Sequence, residues 1–442
     1  MALRFAVVGS GPAGFFTLKS LIRALPDCKV DMFERWPVPF GLIRYGVAPD
    51  HGDIKNIIKD FTELARCDNF RYFGNVFVGK DIDYLTLSQI YSGIIYAHGA
   101  ASADKELKIP GGEKSKSARQ IVEWYNGMPN CEDFDFSKVE KVGIIGNGNV
   151  AMDVARVLGS SIERLQPTDV AERAFEVFSK SKIREIDIYG RRGPVQAAMT
   201  VKELRYLSKV PGISLRVLQD EIDRGLSPES QNEAMLNSVQ TNQRERARKR
   251  LFDLINSLPR EHNPNAQVKI NLRFMLAPIS YTASYLTLAR TNLQGPELHQ
   301  VAVPSDETFK ENCDLLIRSI GYSSVQIDKN LPFDQELGTV KNLGGKVEGN
   351  NYVTGWARTG PFGVIDTTMR NVFQTIDTLI QDIDNNLLQY KPDSILDILK
   401  CRFLTFKQWE KIDQYELNEG LKKGKARSKI TSVDKMLEIG LS

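Results

Sequence analysis

Leu3-Arg-Phe-Ala-Val-Val8, Gly9-Ser-Gly-Pro-Ala-Gly14 and Phe15-Phe-Thr-Leu-Lys-Ser-Leu-Ile22 follow one another without a break. The first run is short and apolar, as a buried strand is, and the last carries apolar residues at helical spacing. Between them stands G-x-G-x-x-G. Gly9 permits a tight turn, Gly11 lets the backbone approach a pyrophosphate, and Gly14 lets the helix pack close to the strand. The helix start then offers its N–H groups to phosphate oxygens. A second strand over 29–33 ends in Glu34, twenty residues past Gly14, where a carboxylate can hold a ribose hydroxyl. A glycine turn alone is weak evidence. Strand, turn, helix, strand and acidic residue in this order mark a dinucleotide site, and Glu34 marks it as FAD-like.

The pattern returns in mid-chain. Residues 139–145 read as a strand, Gly146-Asn147-Gly148-Asn149-Val150-Ala151 as the turn with Ala in third place, and 152–158 as a helix. The following strand, 185–189, ends in Gly190-Arg191-Arg192-Gly193 rather than in an acid. Two guanidinium groups suit a 2′-phosphate, which they bind in bidentate fashion, so this site reads as NADP(H). The plain alternative is a surface arginine pair. The spacing from Ala151 to Arg191 exceeds the usual ~20 residues, and a polar helical insertion over 160–182 accounts for it. Two sites of different type imply hydride transfer from nicotinamide to flavin.

At 442 residues the chain needs more than one core. A net charge of +3 argues against nucleic-acid binding. No apolar run is long enough for a transmembrane helix, and a strand that starts at Leu3 leaves no room for a leader, which either never existed or has been removed. Five scattered cysteines form no C-x-x-C, which argues for reduced thiols and against a local dithiol or cluster-binding run. His51, His98, His262 and His299 form no metal-ligand cluster, so no metal is expected. The loop over 35–51 is too long and apolar for a simple connection, which points to covering a ligand. A parallel sheet is expected from 139–145, 185–189, 214–218, 268–274 and 315–319, a helix over 54–64, a strand over 352–356 and a long helix over 366–387. The fold class is therefore α/β with two Rossmann-like dinucleotide-binding domains. The NADP domain (103–322) is inserted in a split FAD domain (1–102 and 323–442), a glutathione-reductase-like plan. Arg244, Arg246, Arg248, Lys249 and Arg250 form a basic run, either a solvated helix face or a docking patch for an acidic partner.

These segments resemble one family over nearly the whole chain. They are Gly9–Phe15, Phe33-Glu-Arg-Trp-Pro-Val-Pro-Phe-Gly-Leu42, Tyr45-Gly-Val-Ala-Pro-Asp-His51, Gly74-Asn-Val-Phe-Val-Gly79, Trp124-Tyr-Asn-Gly127, Gly148-Asn-Val-Ala-Met-Asp-Val-Ala-Arg156, Arg191-Arg-Gly-Pro194, Lys202-Glu-Leu-Arg205, Ser319-Ile-Gly-Tyr322 and the stretch from Gly355-Trp356 to Ile365. The sequence is similar to the adrenodoxin reductase family of NADPH–ferredoxin reductases. The resemblance implies FAD at Gly9, Gly11, Ala13, Gly14, Glu34, Leu42, Val78, Trp356, Gly363, Val364 and Ile365. It implies NADP at Gly146, Asn147, Gly148, Asn149, Val150, Arg191, Arg192, Glu203 and Gly363. His51 and Asp153 match a pair that the family places near the flavin. The basic run matches the region that docks a small acidic [2Fe-2S] ferredoxin of adrenodoxin type.

The resemblance also implies a mitochondrial matrix location, the cytoplasm being the alternative, and is compatible with peripheral association with a membrane. The chain departs from the family at Arg358-Thr359 and Phe362, where Lys-Arg and Thr are usual, and at Gly111-Gly112, where one Gly is usual. Plain readings stand beside three of these roles: His51 closing a turn, Trp356 as core and Glu203 as a helix-surface residue. Rival functions are the NADPH-oxidising subunit of a glutamate-synthase-type complex, a disulfide reductase, and a non-catalytic flavoprotein redox sensor. The first two normally carry cluster or redox cysteines that are absent here.

Overall fold

The computed structural model describes residues 2–100, 103–234, 243–363 and 365–442. The chain forms two compact units. One comprises Met1–Lys105, Asn126–Asn130 and Gly321–Ser442, and the other Glu106–Tyr125 and Cys131–Ile320. Both are α/β, as the two glycine turns require.

The first unit is built on a six-stranded sheet in the order Lys346–Glu348, Asn351–Val353, Gly93–Tyr96, Arg4–Val8, Lys29–Glu34, Phe70–Gly74. Its pairs are parallel except that of the edge strand Lys346–Glu348. Phe5, Ala6 and Val7 are fully buried, as in a parallel strand covered on both faces. Val8 pairs with Phe33 and with Tyr96, and Tyr96 with Val353. This register brings Gly9, Glu34, Ala97 and Thr354 out at one carboxyl edge, where open α/β sheets bind their ligands.

The second unit repeats the design. Its strands run Lys116–Ser117, Leu315–Arg318, Lys141–Ile145, Glu185–Tyr189, Val268–Arg273, Ile213–Val217, all parallel. Ile145 pairs with both Tyr189 and Arg318, and Tyr189 with Arg273. Gly146, Gly190 and Ser319 thus leave the sheet side by side. The five strands expected for this sheet are present. The insertion over 160–182 carries two short helices, Ile162–Leu165 and Glu172–Phe178.

Several elements differ from expectation. The helix expected over 54–64 breaks at Asn56 into Gly52–Lys55 and Ile57–Leu64. The strand expected over 352–356 stops at Val353, because Gly355, at φ 62°, turns the chain into the helical turn Trp356–Thr359. The long helix runs Ile365–Asp384. An antiparallel sheet of Leu276–Tyr281, Tyr285–Gln294 and Val301–Asn312, and two C-terminal helices, Phe406–Lys422 and Val433–Leu441, were not anticipated.

Candidate dinucleotide sites

In the first unit each glycine of the turn has a separate physical reason. Gly9 has φ 106°, and a Cβ there would lie 2.6 Å from the Ala97 carbonyl oxygen. A Cβ on Gly14 would lie 2.1 Å from the Gly9 oxygen, so close helix–strand packing needs hydrogen there. Gly11 is different. No described atom lies within 4 Å of its Cβ position, and its backbone is extended. That open space is the cradle a pyrophosphate needs. Helix Pro12–Ala24 starts at Gly11 with no side-chain cap, and proline at its first position has no N–H to satisfy. The helix start is thus left to a ligand, as in anion sites of this kind.

Glu34 ends its strand at this edge. Its Oε2 accepts from the Ser10 N–H at 3.1 Å and the Ser10 hydroxyl at 2.7 Å, and its Oε1 from the Trp36 N–H at 3.1 Å. Two of these bonds tie Glu34 to the turn, and a carboxylate offers about four acceptor positions, so capacity remains for a ribose hydroxyl. The covering loop docks on the same turn. The Phe40 N–H donates to the Ser10 carbonyl at 2.9 Å, and Gly41 approaches the Gly11 Cα. Leu42 begins the helical turn Leu42–Tyr45 and is partly exposed. The Val78 side chain packs into the core with Phe33 and Phe73, so only its backbone is left to face outward.

The late segment returns to this edge. A Cβ on Gly355 would lie 2.6 Å from the Ala13 Cβ, which joins it to the first helix. Trp356 is half-buried rather than plain core. Its Nε1 donates to the Phe362 carbonyl at 3.1 Å, closing the loop before helix Ile365–Asp384. Gly363 has φ 83° and Ile365 opens that helix, whereas Val364 lies outside the described residues. Arg358 donates to the Asn371 carbonyl and to Thr375 Oγ1, both at 3.1 Å, so it braces the helix. Thr359 is exposed, and Phe362 is 72% exposed.

The sequence reading missed His98, at the end of strand Gly93–Tyr96. Its Cα would lie 2.8 Å from a Gly9 Cβ, and Ser324 Oγ is 3.2 Å from its Nε2. Burial, and then Arg35, lower its pKa from 6.5 to about 4, so the ring is neutral. Its buried Nδ1 has no partner among the described residues, and neither has Trp36 Nε1. An orphaned ring nitrogen on the residue that packs against Gly9 is what an absent polar ligand leaves. His51 is buried. Its N–H donates to the Ala48 carbonyl and its carbonyl accepts from Ile54, so it does close a turn in the first unit.

The second turn repeats the glycine logic. Gly146 has φ 107°, and a Cβ there would meet the Ser319 oxygen at 2.2 Å; the Cβ position of Gly148 is open. Helix Asn149–Gly159 starts without a side-chain cap, with Val150 in its first turn. Ala151 stands where the third glycine would be and is fully buried. Asn149 Oδ1 accepts from the Thr200 N–H at 2.8 Å, and Asn147 Oδ1 from Ala198 at 3.4 Å. These bonds hold the 190–200 loop, and with it Arg191 and Arg192, beside the turn. The backbone of the pair is anchored too: the Thr291 hydroxyl donates to the Arg191 carbonyl at 2.7 Å. Both guanidinium groups are exposed and make no hydrogen bond or ion pair to any described residue. The Arg192 pKa is lowered by desolvation and by the Arg191 charge, the state a dianion would relieve.

Thr200 caps helix Val201–Ser208 by accepting from the Glu203 N–H. Glu203 is 8% exposed, not a surface residue. The fully buried Arg156, also missed, lies 2.7 Å from Asp153 and 3.5 Å from Glu203, with its guanidinium over the Tyr206 ring. Its spacing of three from Asp153 on a helix was the available signal.

The basic run lies on helix Gln243–Asn256. Arg246 and Arg250 are exposed, and Lys249 is half-buried. Arg248 differs: it is half-buried and paired with the buried Glu233. The side chain of Arg244 lies outside the described residues.

Two units, each with a glycine turn at the carboxyl edge of a parallel sheet, one followed by Glu and one by Arg-Arg, define the class of two-dinucleotide oxidoreductases. No family model matches the chain. Curated relatives do. NADPH:adrenodoxin oxidoreductase, mitochondrial, of Drosophila melanogaster is 37% identical over 99% of this chain and 93% of its own length. The human protein of that name is 36% identical over 99% and 91%. NADPH-ferredoxin reductase FprA of Mycobacterium tuberculosis is 37% identical over 99% and 98%. The solved structure of FprA in complex with NADPH superposes with a TM-score of 0.92, at 35% identity and full coverage of both chains. The chain belongs to the adrenodoxin reductase family of NADPH–ferredoxin oxidoreductases.

Proposed function

We propose that this chain oxidises NADPH on FAD and passes the electrons singly to a small acidic [2Fe-2S] ferredoxin. It is an FAD- and NADPH-dependent oxidoreductase by family. The observation that carries the reading is the pairing of a Glu34 turn with an Arg191–Arg192 turn, each with an open second glycine. When bound, FAD supplies the conversion of a two-electron donation into one-electron steps. The chain does the rest. Gly9–Gly14 and the uncapped helix start receive the flavin pyrophosphate, Glu34 the ribose, and Gly355–Ile365 closes the site. Asn147 and Asn149 hold the loop on which Arg191 and Arg192 meet the 2′-phosphate. Arg156 pairs with Asp153 and Glu203 and holds both side chains in place. Hydride transfer needs no protein acid or base, so positioning and electrostatics are the protein's contribution.

Among the described side chains of the basic run Arg246 and Arg250 are exposed, and they suit an acidic partner. Residence in the mitochondrial matrix is supported by the mitochondrial relatives; a bacterial relative of equal identity supports the cytoplasm instead. Among the described residues no helix is long and apolar enough to cross a membrane. The test is NADPH-dependent reduction of cytochrome c with and without an added [2Fe-2S] ferredoxin. Strong stimulation by the ferredoxin is expected. A rate independent of it would favour a diaphorase or a sensor.

A further inference from the structure

Arg248 does not behave as a docking residue. Its Nη1 bonds Oε1 of Glu233, whose side chain is only 2% exposed. The other Glu233 oxygen accepts from Gln196 Nε2 at 3.0 Å, and that nitrogen also lies 3.0 Å from Ser230 Oγ. Gln196 ends the helical turn Pro194–Gln196, four residues past Arg192 on the loop that begins at Gly190. Arginine loop, buried carboxylate and basic helix are therefore joined by one chain of bonds, all inside the second unit. The electrostatics agree: after desolvation and Arg191, the groups acting on Arg192 are Glu233, which favours its charge, and Arg248, which opposes it.

A buried carboxylate close to a phosphate site is a liability, because it repels the ligand's charge. Three guanidinium groups and one carboxylate sum to +2, which matches a 2′-phosphate carrying about −1.5 to −2. We infer that Arg248 is a specificity-determining residue of the 2′-phosphate site: it cancels the Glu233 carboxylate behind Arg191 and Arg192, and it takes no part in docking ferredoxin. This deepens the proposed function and rests on the NADP reading of the second turn.

The test compares KM for NADPH, NADH and ferredoxin in holoenzyme carrying Arg248→Met, and in the double variant Arg248→Met/Glu233→Gln. The single substitution should raise KM for NADPH about tenfold, the size of one charge-assisted contact. It should leave those for NADH and ferredoxin within about twofold, a change too small to signal a lost contact. The double variant should recover the preference for NADPH, because no unpaired carboxylate remains. Where Arg248→Met does not fold, the double variant and Arg248→Gln carry the comparison. A rise in KM for ferredoxin with NADPH unaffected, or equal rises for both coenzymes, overturns the inference. Failure of the underlying reading shows separately, as wild-type enzyme that does not discriminate between NADPH and NADH.

Discussion

Arg191 and Arg192 are costly neighbours. Two like charges sit side by side without a hydrogen bond or ion pair to any described residue, and desolvation and the Arg191 charge make the ionisation of Arg192 harder. Such an arrangement is retained where an anion completes it. Replacing both with Ala should raise KM for NADPH by at least 100-fold, since each contact is worth about 1.5–3 kcal/mol. KM for NADH should change little, and steady-state kinetics with both coenzymes measures this.

His98 makes a second prediction at the same scale. Its folded pKa, about 4, lies below its ordinary 6.5, so the folded state refuses a proton that the unfolded state accepts. Stability is intact above 6.5 and declines as pH falls from 6.5 to about 4, by up to ~3 kcal/mol. Urea unfolding of wild type and His98→Gln at neutral and acid pH isolates the effect: the variant should lose less on acidification. Equal losses would mean that His98 is not held neutral.

Legibility in the sequence followed how local the physics was. Gly9, Gly11 and Gly14 are readable because one turn dictates all three, and Glu34 because it ends the next strand, twenty residues past Gly14. Arg191 was readable as chemistry, but not why it stands beside Asn147: the link is two hydrogen bonds to Thr200 and Ala198, about fifty residues away. His98 and the Arg248–Glu233 pair were illegible for the same reason. Their meaning lies in tertiary neighbours, Gly9 and Gln196, that no periodicity reveals.

Among elements, helix Gln243–Asn256 separates into two faces. Arg248 turns inward to Glu233, while Arg246 and Arg250 are exposed. Exposed charges act within about 10 Å at 0.1 M salt. Ferredoxin reduction should therefore fall as salt rises, while NADPH reduction of a small neutral acceptor changes less. Arg246→Glu/Arg250→Glu should reproduce the high-salt defect at low salt with the flavin retained. If neither ferredoxin reduction nor its salt dependence responds, the helix face is merely solvated.

Helix Phe406–Lys422, invisible to motif reading, anchors the covering loop. Glu416 on Phe406–Lys422 is fully buried and accepts from Arg44 at 2.5 Å, Arg427 at 2.9 Å and the Ile430 N–H at 2.8 Å. Burial opposes its charge, yet Arg44 and Arg427 hold its pKa below the ordinary value. Arg44 lies in the helical turn Leu42–Tyr45, just past the contact of Gly41 with Gly11. Removing one member of a buried pair costs about 3–5 kcal/mol. Glu416→Gln should lower the melting temperature and release FAD faster, whereas Arg44→Met/Glu416→Leu should recover much of the loss. Flavin fluorescence on heating reports both. Wild-type retention of FAD by Glu416→Gln would show that the loop is held by other contacts.

On the scale of the whole molecule, the two units repeat one plan. Parallel strands buried on both faces are continuous apolar runs, so the inner strands of both central sheets could be read, while the short edge strands Lys116–Ser117 and Lys346–Glu348 were not anticipated. The antiparallel sheet Leu276–Tyr281, Tyr285–Gln294, Val301–Asn312 has one long, largely exposed strand, whose polar composition hid it. The central claim is that one chain couples NADPH to a one-electron carrier through bound FAD. Anaerobic titration of the purified yellow protein tests it most directly. One equivalent of NADPH should bleach the flavin and NADH should do so far less readily; two equivalents of oxidised [2Fe-2S] ferredoxin should then restore the colour. Flavin that NADPH fails to bleach, or bleached flavin that ferredoxin leaves reduced, would contradict the account.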